Sequence, residues 1–295
     1  MSARRLPGPV AIRAKGWFAA HRWLLARRAA QLGFLALFLS GPLFGVWIAK
    51  GTLATSLTLG VLPLSDPFTV LQSLIAGHLP ETAALVGAAI VLVAYALLRG
   101  RLFCSWVCPI NVVTDGAAAL RRRFGWREGV RLDRRLRLVA LAGTLLASAA
   151  GGVIAWELVN PVTMLHRGLV FGSVVAWTAV AAVFLFDLGV APRGWCGHLC
   201  PVGAFYGLIG RWSQVVVRAS QRSSCDHCMD CYQVCPEPHV ITPALHDARS
   251  DVILSPDCTA CGRCIDVCPQ SVFVLGVRRH GPAAEAAPLR QGDLP

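Results

Sequence analysis

Charge is scarce in this sequence. Only 15% of its 295 residues are charged, whereas 55% are hydrophobic and the mean hydropathy is +0.56. A soluble domain carries about 25% charged residues, so this profile favours a membrane protein. The net charge of +12 does not by itself indicate nucleic-acid binding, because lysine and arginine concentrate in the cytoplasmic loops of membrane proteins.

Two kinds of cofactor motif are also absent. The sequence has neither a C-x-x-C-H haem-attachment motif nor a glycine-rich flavin or nicotinamide fingerprint. Redox chemistry therefore depends on its twelve cysteines, of which eight lie in the 44 residues from Cys225 to Cys268. Such a number of cysteines indicates disulfides in an oxidising compartment and metal or cluster binding in a reducing one.

Four stretches without charge are predicted to span a membrane. They are 17 to 21 residues long, and a spanning helix needs about 20. The four predicted spans are Ala29–Ala49, Thr82–Leu98, Leu138–Trp156 and Gly168–Phe186. Arg99 and Arg101 follow the second span, and we expect their side chains to reach towards the membrane interface.

The basic residues between these spans predict their orientation. Residues 1–28 hold seven Lys and Arg and residues 99–137 hold ten, whereas residues 51–81 hold none and residues 157–167 hold one. By the positive-inside rule, both termini and the middle loop are cytoplasmic. All twelve cysteines then lie on the reducing side, which disfavours disulfides. The predicted location is the bacterial inner membrane, with a multi-pass topology.

The sequence contains an internal repeat. The segment "RLFCSWVCPIN" at 101–111 matches "RGWCGHLCPVG" at 193–203, and "DPFTVL" at 66–71 matches "NPVTML" at 160–165. Parallel repeats in membrane proteins pack about an axis along the membrane normal. The motif cysteines Cys104, Cys108, Cys196 and Cys200 could therefore approach one another and form an additional redox or metal site. The alternative is that each is a small buried apolar residue.

The strongest signal is a pair of C-x2-C-x2-C-x3-C-P runs. This spacing is typical of bacterial ferredoxins with two [4Fe–4S] clusters, in which the fourth cysteine of each run binds the other cluster. The predicted ligands of the first cluster are Cys225, Cys228, Cys231 and Cys268. The predicted ligands of the second cluster are Cys258, Cys261, Cys264 and Cys235.

These observations predict the fold class and its division into parts. We expect an α-helical membrane protein with four transmembrane helices in two tandem two-helix repeats, followed by a small ferredoxin-like domain with two [4Fe–4S] clusters. The parts are a basic cytoplasmic N-terminus (1–28), the transmembrane domain (29–215), the ferredoxin-like domain (216–277) and a disordered tail (278–295). Pro, Ala, Gly and Arg dominate this tail, a composition typical of disorder.

Several stretches between residues 16 and 274 resemble one known family. They are "GWFAAHRWLLARR", "FLSGPLFGVWIAKG", "LSDPFTVLQSLIAGHLP", "RLFCSWVCPIN", "GWCGHLCPVGAFYG" and "CMDCYQVCPEPHV". The sequence resembles the NapH-type ferredoxin-like quinol dehydrogenases, the membrane component of periplasmic nitrate reductase systems. The resemblance implies oxidation of membrane quinol by one subunit of a relay. It also implies electron delivery through a NapG-type periplasmic iron–sulfur partner towards the nitrate reductase.

Quinol oxidation releases protons, so a polar or ionisable group is expected near the quinol. The candidates in the predicted outer loops are Asp66, His78, Glu157 and His166. The alternative for each is an ordinary interfacial polar residue. Two further functions remain open at the level of sequence, namely a membrane-bound ferredoxin-type copper reductase and a maturation or scaffold protein.

Overall fold

The computed structural model of this chain describes residues 6–126, 129–130, 132–246 and 250–278. Helices dominate, and two small antiparallel sheets accompany them. The predicted disordered tail at 278–295 lies outside the described residues, except for Arg278.

Two helices and a three-stranded sheet come first in the chain. The helices are α1 (Pro9–Lys15) and α2 (Trp17–Phe44). The sheet consists of β1 (Ala49–Gly51), β2 (Thr55–Thr58) and β3 (Leu62–Ser65). Its strands form an antiparallel meander in the order β1-β2-β3, in which Lys50 pairs with Leu57.

The predicted repeat is visible as two series of helices. The first contains α3 (Pro67–Ile75), α4 (Thr82–Leu97), α5 (Leu102–Trp106) and α6 (Ile110–Phe124). The helix α7 (Leu136–Gly151) leads to the second, which contains α8 (Pro161–Phe171), α9 (Val174–Leu185) and α10 (Pro201–Ile209). A π-helical turn, Trp195–Leu199, takes the place of α5 in the second series.

The repeated Asp-Pro and Asn-Pro pairs begin matching helices. Asp66 accepts hydrogen bonds from the N–H groups of Phe68 and Thr69 at the start of α3. Asn160 accepts one from the N–H of Val162 at the start of α8, at 3.0 Å. In each case proline occupies the first helical position, where its missing N–H costs nothing. The side chains satisfy amides that have no partner within the helix.

The prolines of both Cys-Pro pairs also mark helix starts. Pro109 immediately precedes α6, and Pro201 is the first residue of α10. Cys108 and Cys200 therefore each lie at the N-terminal end of a helix, where the backbone amides carry partial positive charge, although burial raises the pKa of both thiols.

The prediction of four transmembrane helices is wrong. Among the residues that the structure describes, no helix is both long enough and apolar enough for a membrane crossing. The helices α4 and α7 have 16 residues each and α9 has 12. At 1.5 Å per residue, 16 residues extend about 24 Å, which is less than the thickness of about 30 Å of the hydrocarbon core.

Glycines explain the difference between an uncharged stretch and a continuous helix. The longest helix, α2, has 28 residues but contains Arg22, Arg27 and Arg28 in its first half, and it ends at Gly45 with a left-handed conformation. Gly152 ends α7 and Gly172 ends α8 in the same conformation. Such C-terminal glycines stop a helix irrespective of the hydropathy around them. The predicted span Gly168–Phe186 therefore comprises the end of α8, a turn and α9.

The ferredoxin-like domain contains three short helices and a two-stranded sheet. Its elements are β4 (Val215–Ala219), α11 (Asp230–Val234), α12 (Ile241–His246), α13 (Arg263–Val267) and β5 (Phe273–Val277). The strands are antiparallel, with Val217 opposite Leu275. Val217, Ile241 and Phe273 are buried together with the cysteines in one apolar core.

A buried carboxylate fixes this domain to the N-terminal helix. Asp266 is fully buried and accepts hydrogen bonds from the backbone N–H groups of Trp23 at 3.0 Å and Leu24 at 2.9 Å. Arg263 also donates to it at 3.0 Å. Gly262, directly before α13, has a φ of +72° and lies against the Trp23 ring. Helix α2 and the domain are thus packed together without a gap.

Candidate functional site

Two cavities in the ferredoxin-like domain are each lined by four cysteines. The distal cavity is lined by Cys225, Cys228, Cys231 and Cys268. The proximal cavity is lined by Cys235, Cys258, Cys261 and Cys264. The fourth cysteine of each run thus lies with the first three of the other run. This is the crossed arrangement that the spacing predicts.

The two cysteine loops have the same backbone conformation. In the first loop, His227 and Met229 have φ values of 53° and 62°. In the second, the equivalent Ala260 and Gly262 have φ values of 48° and 72°. Positive φ is uncommon for residues other than glycine, and such strained positions cluster at ligand-binding sites. The repetition indicates two loops that curl in the same way around a bound group.

The residues around these cavities fit iron–sulfur clusters. All twelve cysteines are unpaired, and the described residues contain no group of three His, Cys, Asp or Glu suited to a single metal ion. Four thiols spaced around a cavity suit a cluster, which is larger than one ion. The buried hydroxyl of Thr259 has no hydrogen-bond partner among the described residues and lines the proximal cavity. A cluster sulfide would be an acceptor for it.

The two cavities differ in their access to the surface. Cys258, Cys261 and Cys264 of the proximal cavity are buried, whereas Cys228 of the distal cavity is exposed. Met229 beside it is 48% exposed. The distal cavity is therefore the more accessible of the two to a partner protein.

A third cavity, the motif cavity, brings both halves of the repeat together. It is lined by all four motif cysteines, Cys104, Cys108, Cys196 and Cys200. The rest of its wall is mainly apolar and includes Phe103, Trp156 and Trp195, together with Asp66 and Asn160. The structure thus brings one of the four candidate quinol residues into the same cavity as the motif cysteines.

Asp66 is a buried carboxyl group with several donors. Tyr206 donates its hydroxyl hydrogen to Asp66 Oδ1 at 2.9 Å, and Thr69 donates to Oδ2 at 3.1 Å. Burial raises the pKa of Asp66 above the ordinary value, and these hydrogen bonds lower it again only in part. A carboxyl group with a raised pKa holds a proton more readily than an ordinary one and is suited to general acid–base chemistry.

The other three candidate quinol residues do not line the motif cavity. Glu157 accepts hydrogen bonds from Asn160 at 2.7 Å and Thr163 at 2.8 Å, and these two residues are themselves part of the cavity wall. His78 lies in an exposed loop, 2.9 Å from the carbonyl oxygen of Gly152. His166 is buried on α8. Glu157 therefore contacts the cavity only through the wall residues Asn160 and Thr163. His78 and His166 are not part of the cavity wall.

The first Cys-x-x-x-Cys-Pro motif contacts the loop that carries the proximal cysteines. Arg99 donates to the carbonyl oxygen of Cys258 at 2.9 Å. Ser105 donates to that of Thr259 at 2.7 Å, and the Trp106 indole donates to that of Ala260 at 3.2 Å. The motif cavity and the proximal cavity are therefore neighbours.

Two arginines at equivalent positions of the repeat contact the residues on either side of Cys235 and Pro236. Arg101 forms an ion pair with Glu237 at 2.8 Å and donates to the carbonyl oxygen of Cys196 at 3.1 Å. Arg193 donates to the carbonyl oxygen of Val234 at 3.0 Å. The expectation that Arg99 and Arg101 reach towards a membrane interface is wrong, because both are 2% exposed and bind the ferredoxin-like domain.

Two family models match the chain in the regions that hold the cysteines. A 4Fe-4S binding domain matches residues 81–127 and 169–219. A 4Fe-4S dicluster domain matches residues 216–269. The first model covers both Cys-x-x-x-Cys-Pro motifs, and the second covers both ferredoxin-type runs.

Curated proteins match over most of the chain. The methylamine utilization ferredoxin-type protein MauN of Methylorubrum extorquens is 55% identical over 267 residues, which cover 90% of this chain and 93% of that protein. The ferredoxin-type protein NapH of Escherichia coli K12 is 49% identical over 276 residues, covering 93% and 96%. NapH of Haemophilus influenzae is 50% identical, covering 89% and 92%. The chain belongs to the NapH and MauN family of ferredoxin-type proteins. The resemblance noted from the sequence is thus confirmed, and no solved structure matches.

As a member of the NapH and MauN family, the chain is a ferredoxin-type electron-transfer protein with 4Fe–4S domains. Three arginines that the sequence did not identify as functional, Arg99, Arg101 and Arg193, link the repeat to the ferredoxin-like domain. A signal was present, because an arginine stands three residues before the first cysteine of each Cys-x-x-x-Cys-Pro motif. In the sequence these arginines indicate only where an apolar stretch ends.

Proposed function

We propose that this protein oxidises quinol at the motif cavity and passes the electrons through iron–sulfur centres towards a periplasmic nitrate reductase. The observation that carries the proposal is the motif cavity itself. It combines an apolar, aromatic wall with the buried carboxyl group of Asp66 and four cysteines, and it adjoins the proximal cavity. Apolar cavities with few convergent polar groups are typical small-molecule sites.

Asp66 is the proposed proton acceptor. Oxidation of one quinol to quinone releases two electrons and two protons. The carboxylate takes one proton from a quinol hydroxyl, passes it to water and then accepts the second. Tyr206, through its 2.9 Å hydrogen bond, holds the carboxylate in position. Iron–sulfur clusters accept the two electrons one at a time.

The cysteines of the ferredoxin-like domain are the proposed ligands of two [4Fe–4S] clusters. Cys225, Cys228, Cys231 and Cys268 hold one cluster, and Cys258, Cys261, Cys264 and Cys235 hold the other. Their arrangement around two separate cavities supports this assignment. The exposed Cys228 makes the distal cavity the exit for electrons. The proposed recipient is a NapG-type iron–sulfur protein, on the basis of the family.

The proposed location is the inner membrane. Quinol dissolves in lipid, so the cavity must be within reach of it. Large apolar side chains are unusually exposed on several helices, including Phe44 and Phe171 at 78% and Val174 at 75%. Such surfaces are typical of contact with lipid or protein.

The test is quinol-dependent reduction of the purified, anaerobic protein, followed by visible absorbance and EPR. We expect a short-chain quinol to reduce the clusters, and Asp66→Asn to slow this reaction. Glu81→Gln is a matched control, because Glu81 is an exposed carboxylate in the loop before α4. A protein whose clusters stay oxidised with quinol but that reduces Cu(II) would instead be a metal reductase. A protein that does neither would fit a scaffold role.

A second candidate is electron transfer in methylamine utilization. The 55% identity to the MauN protein favours it. Deletion of the gene in the source organism separates the two pathways. Loss of nitrate-dependent anaerobic growth supports the first candidate, and loss of growth on methylamine supports the second.

A further inference from the structure

We propose that the four motif cysteines, Cys104, Cys108, Cys196 and Cys200, together hold a third [4Fe–4S] cluster. This inference deepens the proposed function, because a cluster held among the four thiols would receive the electrons of a quinol that binds beside it in the apolar remainder of the motif cavity. Its own basis is the arrangement of the thiols, which does not depend on the identity of the electron donor.

The four thiols converge from both halves of the repeat on a single cavity. Cys104 is on α5 and Cys196 is in the π-helical turn that replaces α5 in the second half. Cys108 and Cys200 stand directly before the prolines that precede or begin α6 and α10. Each half therefore contributes one cysteine from a helical turn and one from a helix N-terminus. The result is a two-fold set of four ligands.

Burial raises the pKa of the second cysteine of each motif, and two backbone N–H groups beside each sulfur oppose that rise. The N–H groups of Ile110 and Asn111 donate to the thiol of Cys108. In the second half, the N–H groups of Val202 and Gly203 donate to the thiol of Cys200. Backbone hydrogen bonds to cysteine sulfurs stabilise iron–sulfur clusters and tune their potentials. In both motifs these amides belong to the second and third residues after the cysteine.

Other contents of the motif cavity agree less well with the structure. The cysteines are unpaired, so they do not form disulfides. Among the described residues, no group of three potential ligands suits a single metal ion, whereas a tetrahedral zinc site needs four ligands around one ion. The distal and proximal cavities also lack a group suited to a single metal ion, although ferredoxin-type cysteine runs line them. The motif cavity, at about 50 Å³, is larger than either of those, at about 20 Å³ each.

The match to the family model is a separate line of support. The two segments matched by the 4Fe-4S binding domain, residues 81–127 and 169–219, contain all four motif cysteines. They end before Cys225, so none of the eight ferredoxin-type cysteines accounts for that match.

The contacts of α5 place the third cluster in the relay. Ser105 and Trp106 of α5 donate to the carbonyl oxygens of Thr259 and Ala260, between the proximal cysteines Cys258 and Cys261. Electrons would pass from the motif cavity to the proximal cavity, then to the distal cavity and its exposed Cys228. The quinol site and the exit site are thus at opposite ends of a three-cluster chain.

Iron and sulfide analysis of the full-length, anaerobically purified protein tests the inference. With three clusters we expect about twelve iron and twelve sulfide per chain, and with two clusters about eight of each. The variant Cys104→Ser/Cys108→Ser/Cys196→Ser/Cys200→Ser should fall to about eight iron, with both ferredoxin-type clusters still visible by EPR. Mössbauer spectroscopy of the wild-type protein identifies the cluster type without any variant.

Several results would overturn the inference. They are about eight iron in fully loaded wild-type protein, zinc at the four thiols, or alkylation of these thiols while the iron content stays constant. None of these measurements involves quinol. About twelve iron per chain without any reaction with quinol would support the third cluster and contradict the proposed function. About eight iron per chain in a protein that quinol reduces would contradict the third cluster and support the proposed function.

Discussion

The hydroxyl group of Tyr206 on α10 donates to the carboxyl group of Asp66 at the start of α3, at 2.9 Å. The bond joins the second half of the repeat to the first at the wall of the motif cavity. Its donor and acceptor are 140 residues apart in the chain. The carboxyl group is buried, so its protonation is sensitive to any charge or proton that enters the cavity.

Asp66→Asn should slow quinol oxidation by about 100- to 10,000-fold, because the amide cannot accept a proton. Tyr206→Phe should have a smaller effect, since it removes one hydrogen bond of about 1 kcal/mol and leaves the carboxyl group. Stopped-flow reduction of the clusters by quinol measures both rates. Equal rates for wild type and Asp66→Asn would remove Asp66 from the mechanism.

The quinol-dependent rate should also depend on pH. Because burial raises the pKa of Asp66, its carboxyl group stays protonated at a higher pH than an exposed one. Only the ionised form accepts a proton, so the rate should fall as the pH is lowered through this raised pKa. A pH–rate profile should show this decline in the wild type, and the decline should be absent in Asp66→Asn.

Arg101→Gln should destabilise the protein by about 3–5 kcal/mol, since it removes the nearest ion-pair partner of the buried Glu237 carboxylate, at 2.8 Å, and leaves it only Arg137 and His239, each at 3.7 Å. Arg211→Gln, at an exposed position, should change stability by less than about 0.5 kcal/mol. Denaturant titration followed by tryptophan fluorescence gives both values. Replacement of Arg101 and Glu237 together by methionine should restore part of the loss, because no buried charge then remains unpaired.

Gly262→Ala should separate α2 from the ferredoxin-like domain. An added Cβ would lie 2.4 Å from Cγ of Trp23, and the backbone there has a φ of +72°. Gly45→Ala is the matched control, with a φ of +73° and no atom within 4 Å of the added Cβ. The control should cost about 1–2 kcal/mol for the backbone alone. Thermal unfolding should show a clearly greater loss for Gly262→Ala, and equal losses would contradict the described packing.

Cys235→Ala should disturb the proximal cluster rather than the distal one. The crossed arrangement places Cys235 with Cys258, Cys261 and Cys264. Anaerobic alkylation followed by peptide mapping should therefore find these three thiols exposed to reagent and Cys225 still protected. Cys268→Ala should give the opposite pattern. Alkylation of Cys225 in the Cys235→Ala protein would indicate that each run holds its own cluster.

Local sequence signals predicted particular helix starts and which cysteines lie together, but not the fold class. Helix starts at Pro109 and Pro201 follow from the fixed φ of proline. The grouping of Cys235 with the second cysteine run follows from spacing alone. The internal repeat predicted that the four motif cysteines would meet, since equivalent residues of two packed repeats lie on equivalent sides of their interface.

The errors came from treating charge and hydropathy without the backbone. Gly152 and Gly172 end helices inside stretches that were predicted to be continuous. Arg99 and Arg101 were assigned to a membrane boundary, yet they satisfy backbone carbonyl groups and a carboxylate inside the protein. A buried arginine needs partners that are distant in the chain, and one sequence does not reveal which residues those are.

Arg101 and Arg193 hold the chain on both sides of Cys235, through Glu237 and Val234. One arginine comes from each half of the repeat, so the ferredoxin-like domain cannot turn about either contact alone. The ferredoxin-like domain should therefore keep one position relative to the repeat during electron transfer and not move between a donor and an acceptor. Electron transfer within the chain should take place over constant distances, and its rate should be independent of solvent viscosity.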